Sequence, residues 1–199
     1  MKFNIILADP PWRFKNFSMA ERAERGEKWG RAYGRPIYDT INTEDIANIP
    51  VKEIADKDCI LFLWATYPKL KDALQVMEAW GFEYKTTAFT WVKTNPSGIG
   101  WHLGLGFYSR GNPEIVLLGT RGKPKRVNNS VANLLIAPRG RHSAKPKEVH
   151  TRIVQLMGDL PRIELFAREQ VDGWLCIGNE LTNRDIQDDL QIIIDHVER

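Results

Sequence analysis

The 199-residue sequence holds only two cysteines, Cys59 and Cys176. Both sit in apolar runs, Cys59-Ile60-Leu61-Phe62-Leu63 and Trp174-Leu175-Cys176-Ile177. Thiols placed this way read as free and buried in a reducing compartment, which excludes a disulfide-stapled scaffold. No Cys-x-x-Cys occurs and the four histidines are scattered, so no structural zinc site, and no metal of any kind, is expected. No stretch approaches the roughly 18 consecutive apolar residues of a membrane-spanning helix. A signal peptide is not expected either: Lys2 is followed by Phe3-Asn4-Ile5-Ile6-Leu7-Ala8 and then by the charged Asp9. That run is too short for a secretory core and reads as a buried strand. Internal repeats and linkers are lacking too. The expectation is a single cytoplasmic domain over residues 1–199, with 43% hydrophobic residues to fill its core.

Charge is low overall, at +3, but unevenly spread. Residues 13–35 hold Arg13, Lys15, Arg22, Arg25, Lys28, Arg31 and Arg35 against three glutamates. Residues 121–147 hold eight basic residues, Arg139, Arg141, Lys145 and Lys147 among them, and no acid. Residues 180–199 carry six acids and two arginines. The two basic stretches lack apolar periodicity and look like loops facing a polyanion. Charge alone does not separate that reading from ordinary solvated loops.

Strand and helix patterns alternate, which predicts an α/β sheet flanked by helices. Residues 3–8 read as the first strand. A Gly- and charge-rich segment, 13–42, is too long for a mere connection and reads as a functional loop. Thr43 opens a short helix to about Ile54, interrupted at Pro50. Residues 59–65 are an apolar strand, and Pro68 starts a helix ended by Gly81. Residues 84–93 and Glu114–Gly119 read as strands, and Pro146 opens a helix stopped by Gly158. Two short strands, 163–167 and 174–178, precede a last helix with Ile186, Leu190, Ile193, Ile194 and Val197 on its apolar face.

The most informative feature is a strand running straight into Asp9-Pro10-Pro11-Trp12. The carboxyl edge of an open α/β sheet is where ligands bind. Two prolines fix the backbone and remove two amide donors. The Asp9 carboxylate and the Pro10 carbonyl then form a rigid pair of acceptors, suited to an amino group with two hydrogens to donate. Holding both hydrogens directs the nitrogen lone pair outward, and Trp12 offers a flat face for stacking a base. A strand-end turn with a packing tryptophan is the competing reading of the tetrapeptide.

On these residues the sequence resembles the MT-A70 family of adenine methyltransferases, over most of its length. Asp58–Ala65 and Phe89–Thr94 resemble the family's central strands, Glu114–Gly122 and Arg141–Pro146 the following strand and loop. Ile163–Arg168 and Gly178-Asn179-Glu180 resemble its cofactor segments. The resemblance implies a three-layer, Rossmann-like, circularly permuted fold with the catalytic motif ahead of the cofactor motif. It also implies S-adenosylmethionine as cofactor and S-adenosylhomocysteine as product. Asp9, Pro10, Pro11 and Trp12 then form the catalytic loop, with Asp9 also near the cofactor. Glu180, helped by Asn179, accepts from ribose hydroxyls. Arg168 lies where the ribose or carboxylate passes, Lys145 meets the methionine carboxylate, and Phe166 walls the adenine moiety. After Arg168, where relatives often carry His or Asn, this chain has Glu169, Gln170 and Val171. No general base with a special pKa is needed: the carboxylate stabilises charge developing on the nitrogen, and the pocket supplies alignment. The target base must leave a duplex or already be single-stranded.

Phosphate contacts are expected from Arg13, Lys15, Arg22, Arg25, Arg31, Arg139, Arg141 and His142. The motif touches only the base, so DNA and RNA both remain open as partner; a small domain without RNA-binding modules favours DNA. Monomer and homodimer are equally open. A dehydrogenase is a poor alternative, because the glycines between Gly98 and Gly111 form no Gly-x-Gly-x-x-Gly after a strand. Gly122-Lys123 forms no phosphate loop, with Leu117 and Pro124 at the required positions. A non-catalytic nucleic-acid-binding subunit is the remaining rival, opposed by the intact Asp9–Trp12 loop and Lys145.

Overall fold

The computed structural model describes residues 2–14, 40–104, 106, 108–140 and 144–197. A mixed sheet of seven strands in the order β5-β3-β4-β2-β1-β6-β7 forms its frame. The strands are β1 (Phe3–Ala8), β2 (Ala55–Ala65), β3 (Glu83–Thr94), β4 (Glu114–Arg121), β5 (Leu134–Pro138), β6 (Arg162–Leu165) and β7 (Leu175–Ile177). β4 runs antiparallel to its neighbours β2 and β3, and the other pairings are parallel. The helices are α1 (Thr43–Ala47), α2 (Val51–Ile54), α3 (Leu70–Ala79), α4 (Glu148–Met157), α5 (Asn179–Thr182) and α6 (Ile186–Val197).

Parallel strands covered on both faces read as continuous apolar runs, and β1 and β2 do so. Side chains alternate between two cores. Ile6, Ala8, Leu61 and Leu63 face one side with Val76, Met77 and Trp80 of the α3 region and Leu190 of α6. Ile5, Leu7, Ile60 and Phe62 face the other with Val149, Ile153 and Met157 of α4. Helices therefore flank both faces. The spacing of Ala73, Val76 and Met77 buries one stripe of α3. Gly81 stops that helix in the left-handed region at φ 82°, donating to the Glu78 carbonyl while Phe82 reaches back to Met77.

Two expectations need correction. Residues 121–147 are not one basic loop: Leu134–Pro138 form β5, paired in parallel with β3 from Thr90–Leu134 to Thr94–Pro138. Its five residues are too few to announce themselves beside flanking charges, and pairing to an open sheet edge decides their state. The strand expected over 163–167 ends at Leu165, because Phe166 turns into the left-handed region at φ 63°. Elsewhere the elements match within a few residues, β2 beginning earlier, at Ala55. Most of the 13–42 segment lies outside the described residues.

The topology sets where a ligand binds. From β1 the chain moves to β2 on one side, and β6 returns to β1's other flank. That reversal of direction opens a crevice beyond the carboxyl ends of β1 and β6. Asp9 stands at the end of β1, with its amide donating to the Leu165 carbonyl at the end of β6.

Candidate active site at the carboxyl edge of the sheet

A cavity of about 330 Å³ occupies this crevice. Asp9, Pro10, Pro11, Trp12, Lys145, Phe166, Arg168, Asn179 and Glu180 all line it. Residues from four separate sequence segments thus converge on one space. Glu114, Thr66, Asp185 and Ile186 join them, none of which sequence reasoning named as a site residue.

The Asp9–Trp12 loop is tied down through its backbone. Trp12 N–H donates to the Pro10 carbonyl at 2.8 Å, and Ile41 N–H to the Pro11 carbonyl at 2.9 Å. One lone pair of the Pro10 carbonyl, expected to point outward for a substrate, is therefore spent on the turn itself, and the second remains. Trp12 is 6% exposed, and its indole N–H donates to the Trp64 carbonyl at 3.1 Å. Most of the ring belongs to the core; only a small part borders the cavity, far less than the open stacking face expected from the sequence.

The charges are shared among four groups. Lys145 Nζ lies 2.6 Å from Asp9 Oδ2 and 3.5 Å from Glu114 Oε2, and 5.3 Å from the Trp64 ring centroid. Lys93 Nζ lies 2.5 Å from Glu114 Oε1. Burial pushes the Asp9 carboxyl above its ordinary range, the pull of Lys145 only partly offsetting it, while Glu114 and Glu164 add to the rise. Burial is also the largest influence on Glu114, but Lys145 and Lys93 together outweigh it and hold that carboxyl below its ordinary value. One cation thus serves two carboxylates with opposite tendencies: Glu114 stays ionised and Asp9 is the one closer to protonation.

At the other end of the cavity, Arg168 Nε lies 3.1 Å from Glu180 Oε1. Glu180 stands in the first turn of α5, directly after β7. Gly178 allows β7 to pass close by β6: a Cβ there would lie 2.4 Å from the Ala167 carbonyl oxygen. The α5–α6 turn is pinned by the buried Asp189, which accepts from Thr182 Oγ1 and Arg184 Nε, each at 2.6 Å. That turn carries Asp185 and Ile186 to the cavity wall.

Of the residues expected to meet phosphates, Arg13 is exposed and donates to the Thr40 carbonyl at 3.0 Å. Arg139 is exposed just beyond β5, its amide donating to Thr94 at the end of β3. Lys15, Arg22, Arg25, Arg31, Arg141 and His142 lie outside the described residues. The signal for Glu114 was its place at the start of a strand. Only the reversed direction of β4 reveals that this start lies at the same sheet edge as the end of β1. Both cysteines are free and buried, as expected, and no helix among the described residues is long and apolar enough to cross a membrane.

Comparison with known proteins places the chain among methyltransferases. The family model MT-A70 matches residues 3–180. A type II methyltransferase, M.MunI, from a Mycoplasma species is 35% identical over 94% of this chain and 81% of its own length. The human N(6)-adenosine-methyltransferase catalytic subunit METTL3 is 26% identical over 90% of this chain, which spans only 28% of that protein. An Arabidopsis thaliana N(6)-adenosine-methyltransferase MT-A70-like protein is 26% identical, with 24% of its length covered. The chain belongs to the MT-A70 family.

Proposed function

We propose that this chain transfers a methyl group from S-adenosylmethionine to the exocyclic amino nitrogen of adenine in DNA. The observation that carries the reading is Asp9. It stands at the carboxyl end of β1, ion-paired to Lys145, in a cavity whose far end holds Arg168, Asn179 and Glu180. The residues fit the cofactor the family implies. A carboxylate just past a strand end suits ribose hydroxyls, Phe166 and Ile186 supply apolar wall, and Arg168 supplies positive charge for a carboxylate. Bound there, S-adenosylmethionine supplies an electrophilic methyl group on a sulfonium, without a metal. The order of Asp9 after β1 and of Arg168 and Glu180 after β6 and β7 supports a permuted, three-layer methyltransferase layout, with catalytic residues ahead of cofactor residues. We treat the chain as one methyltransferase domain.

Asp9 holds the amino group through its carboxylate and stabilises the positive charge that grows on nitrogen. The second lone pair of the Pro10 carbonyl accepts the other amino hydrogen. Lys145 keeps the carboxylate ionised against its burial. Asp9, with its affinity for protons raised by that burial, is also placed to take the proton the nitrogen sheds. DNA is favoured by the 35% identical relative that spans most of this chain and is named a type II methyltransferase. The intact Asp9–Lys145 pair speaks against a non-catalytic subunit.

The test is incubation with methyl-labelled cofactor and matched DNA and RNA, single- and double-stranded, followed by digestion to nucleosides. Label on adenine from DNA, lost in Asp9→Asn with the melting temperature within a few degrees of wild type, is the expected result. Label on RNA alone would move the substrate class, and turnover above about a tenth of wild type in the variant would remove Asp9 from the chemistry.

A further inference from the structure

A second space, of about 940 Å³, opens beside the first and shares Phe14, Thr66 and Glu114 with it. One wall is the short 3₁₀ turn Tyr67–Lys69 after β2; the other is the connection 95–113 between β3 and β4. A connection of that length inside a domain is usually functional, and this one is built. The Asn112 amide group donates to the Lys93 carbonyl at 2.8 Å and to the His102 carbonyl at 2.5 Å, and its Oδ1 accepts from Lys93 N–H at 2.8 Å. Gly104 N–H donates to the Gly111 carbonyl at 2.6 Å.

Each wall presents an aromatic ring to solvent. Tyr67 is 55% exposed and Tyr108 wholly exposed. Exposed tyrosines lining one space bury little in the fold, and stacking on flat bases is what such rings do well. Cations stand near this space: burial and then the charges of Arg139, Lys93 and Arg110 hold the His102 ring below its ordinary pKa. Glu114 pairs with Lys93, while Arg110 and Arg139 are exposed and can meet a polyanion.

We infer that this second chamber binds the unpaired nucleic-acid strand next to the target adenine, with neighbouring bases stacked on Tyr67 and Tyr108 and the backbone phosphates held by Arg110 and Arg139. Three features favour this occupant: continuity with the Asp9 cavity, exposed cations near the space, and two exposed aromatic rings lining it. The inference rests on the adenine-methyltransferase reading above, and it adds a strand-holding role to residues outside the catalytic loop and the cofactor segments.

The probe is an adenine-containing single-stranded oligodeoxynucleotide, with affinity read by fluorescence anisotropy. Tyr67→Ala and Tyr108→Ala should each weaken binding about fivefold to a hundredfold. Tyr→Phe at either position should restore it, because the ring and not the hydroxyl does the stacking. S-adenosylmethionine affinity, measured by calorimetry, should stay at the wild-type value. Arg110→Gln with Arg139→Gln should flatten the dependence of log K on log salt by about 0.7 per contact. Wild-type affinity in both alanine variants would overturn the inference, as would a loss that Phe fails to restore. Failure of the function reads differently: wild-type protein would transfer no methyl group to any nucleic acid, whatever the variants do to binding.

Discussion

Lys145→Met isolates the electrostatics of the site. Lys145 is 15% exposed and the Asp9 side chain 26%, so solvent screens their 2.6 Å contact only in part. A charge-assisted hydrogen bond of this kind is worth about 1.5–3 kcal/mol. Its loss should therefore push the Asp9 carboxyl further above its ordinary range. Glu114 loses the same cation and its carboxyl rises as well, but it keeps Lys93 at 2.5 Å to hold it ionised. In wild type, burial already places Asp9 above its ordinary value of 3.8, so activity is lost as pH falls through that raised value. In Lys145→Met the acid limb of the kcat profile, taken at saturating cofactor, should move to higher pH. Lys145→Arg keeps the charge and should hold the limb near the wild-type position. A lysine acting only on the cofactor's carboxylate would raise the cofactor Kd and leave the limb in place. A Met profile superimposable on wild type would therefore refute the coupling between Lys145 and Asp9.

Three further outcomes follow from the same geometry. Glu180→Ala removes the acid beside Arg168 and should weaken S-adenosylmethionine binding about tenfold to a hundredfold while leaving oligonucleotide affinity unchanged; calorimetry and anisotropy separate the two. Gly178→Ala forces a Cβ to within 2.4 Å of the Ala167 carbonyl oxygen and should cost about 1–3 kcal/mol of stability, seen as a lower denaturation midpoint together with weaker cofactor binding. Burial pushes the Cys59 thiol up to about 12 and raises Cys176 as well. Neither should react with an alkylating reagent at neutral pH in the native state, and both should react in denaturant; modification of the folded protein would contradict their burial.

Local chemistry accounts for what was legible in the chain itself. The apolar run 3–8 into Asp9-Pro10-Pro11-Trp12, the stripe of α3 with Gly81 after it, and the helix stopped by Gly158 depend on period, caps and backbone restriction. All of these act over a few residues. The placement of Arg168 and Asn179-Glu180 just past short apolar strands was legible for the same reason. Tertiary structure decided the rest. The β5 strand exists because β3 offers an edge to pair with. Trp12 is mostly a core residue because Trp64 supplies a carbonyl to its indole, a partner 52 residues away. Glu114 enters the site only because β4 runs opposite to its neighbours, and Lys145 meets Asp9 across 136 residues of chain. Residue type and spacing told which groups carry charge; which charges face each other, and so which carboxylate holds its proton longer, depends on distances that only packing sets.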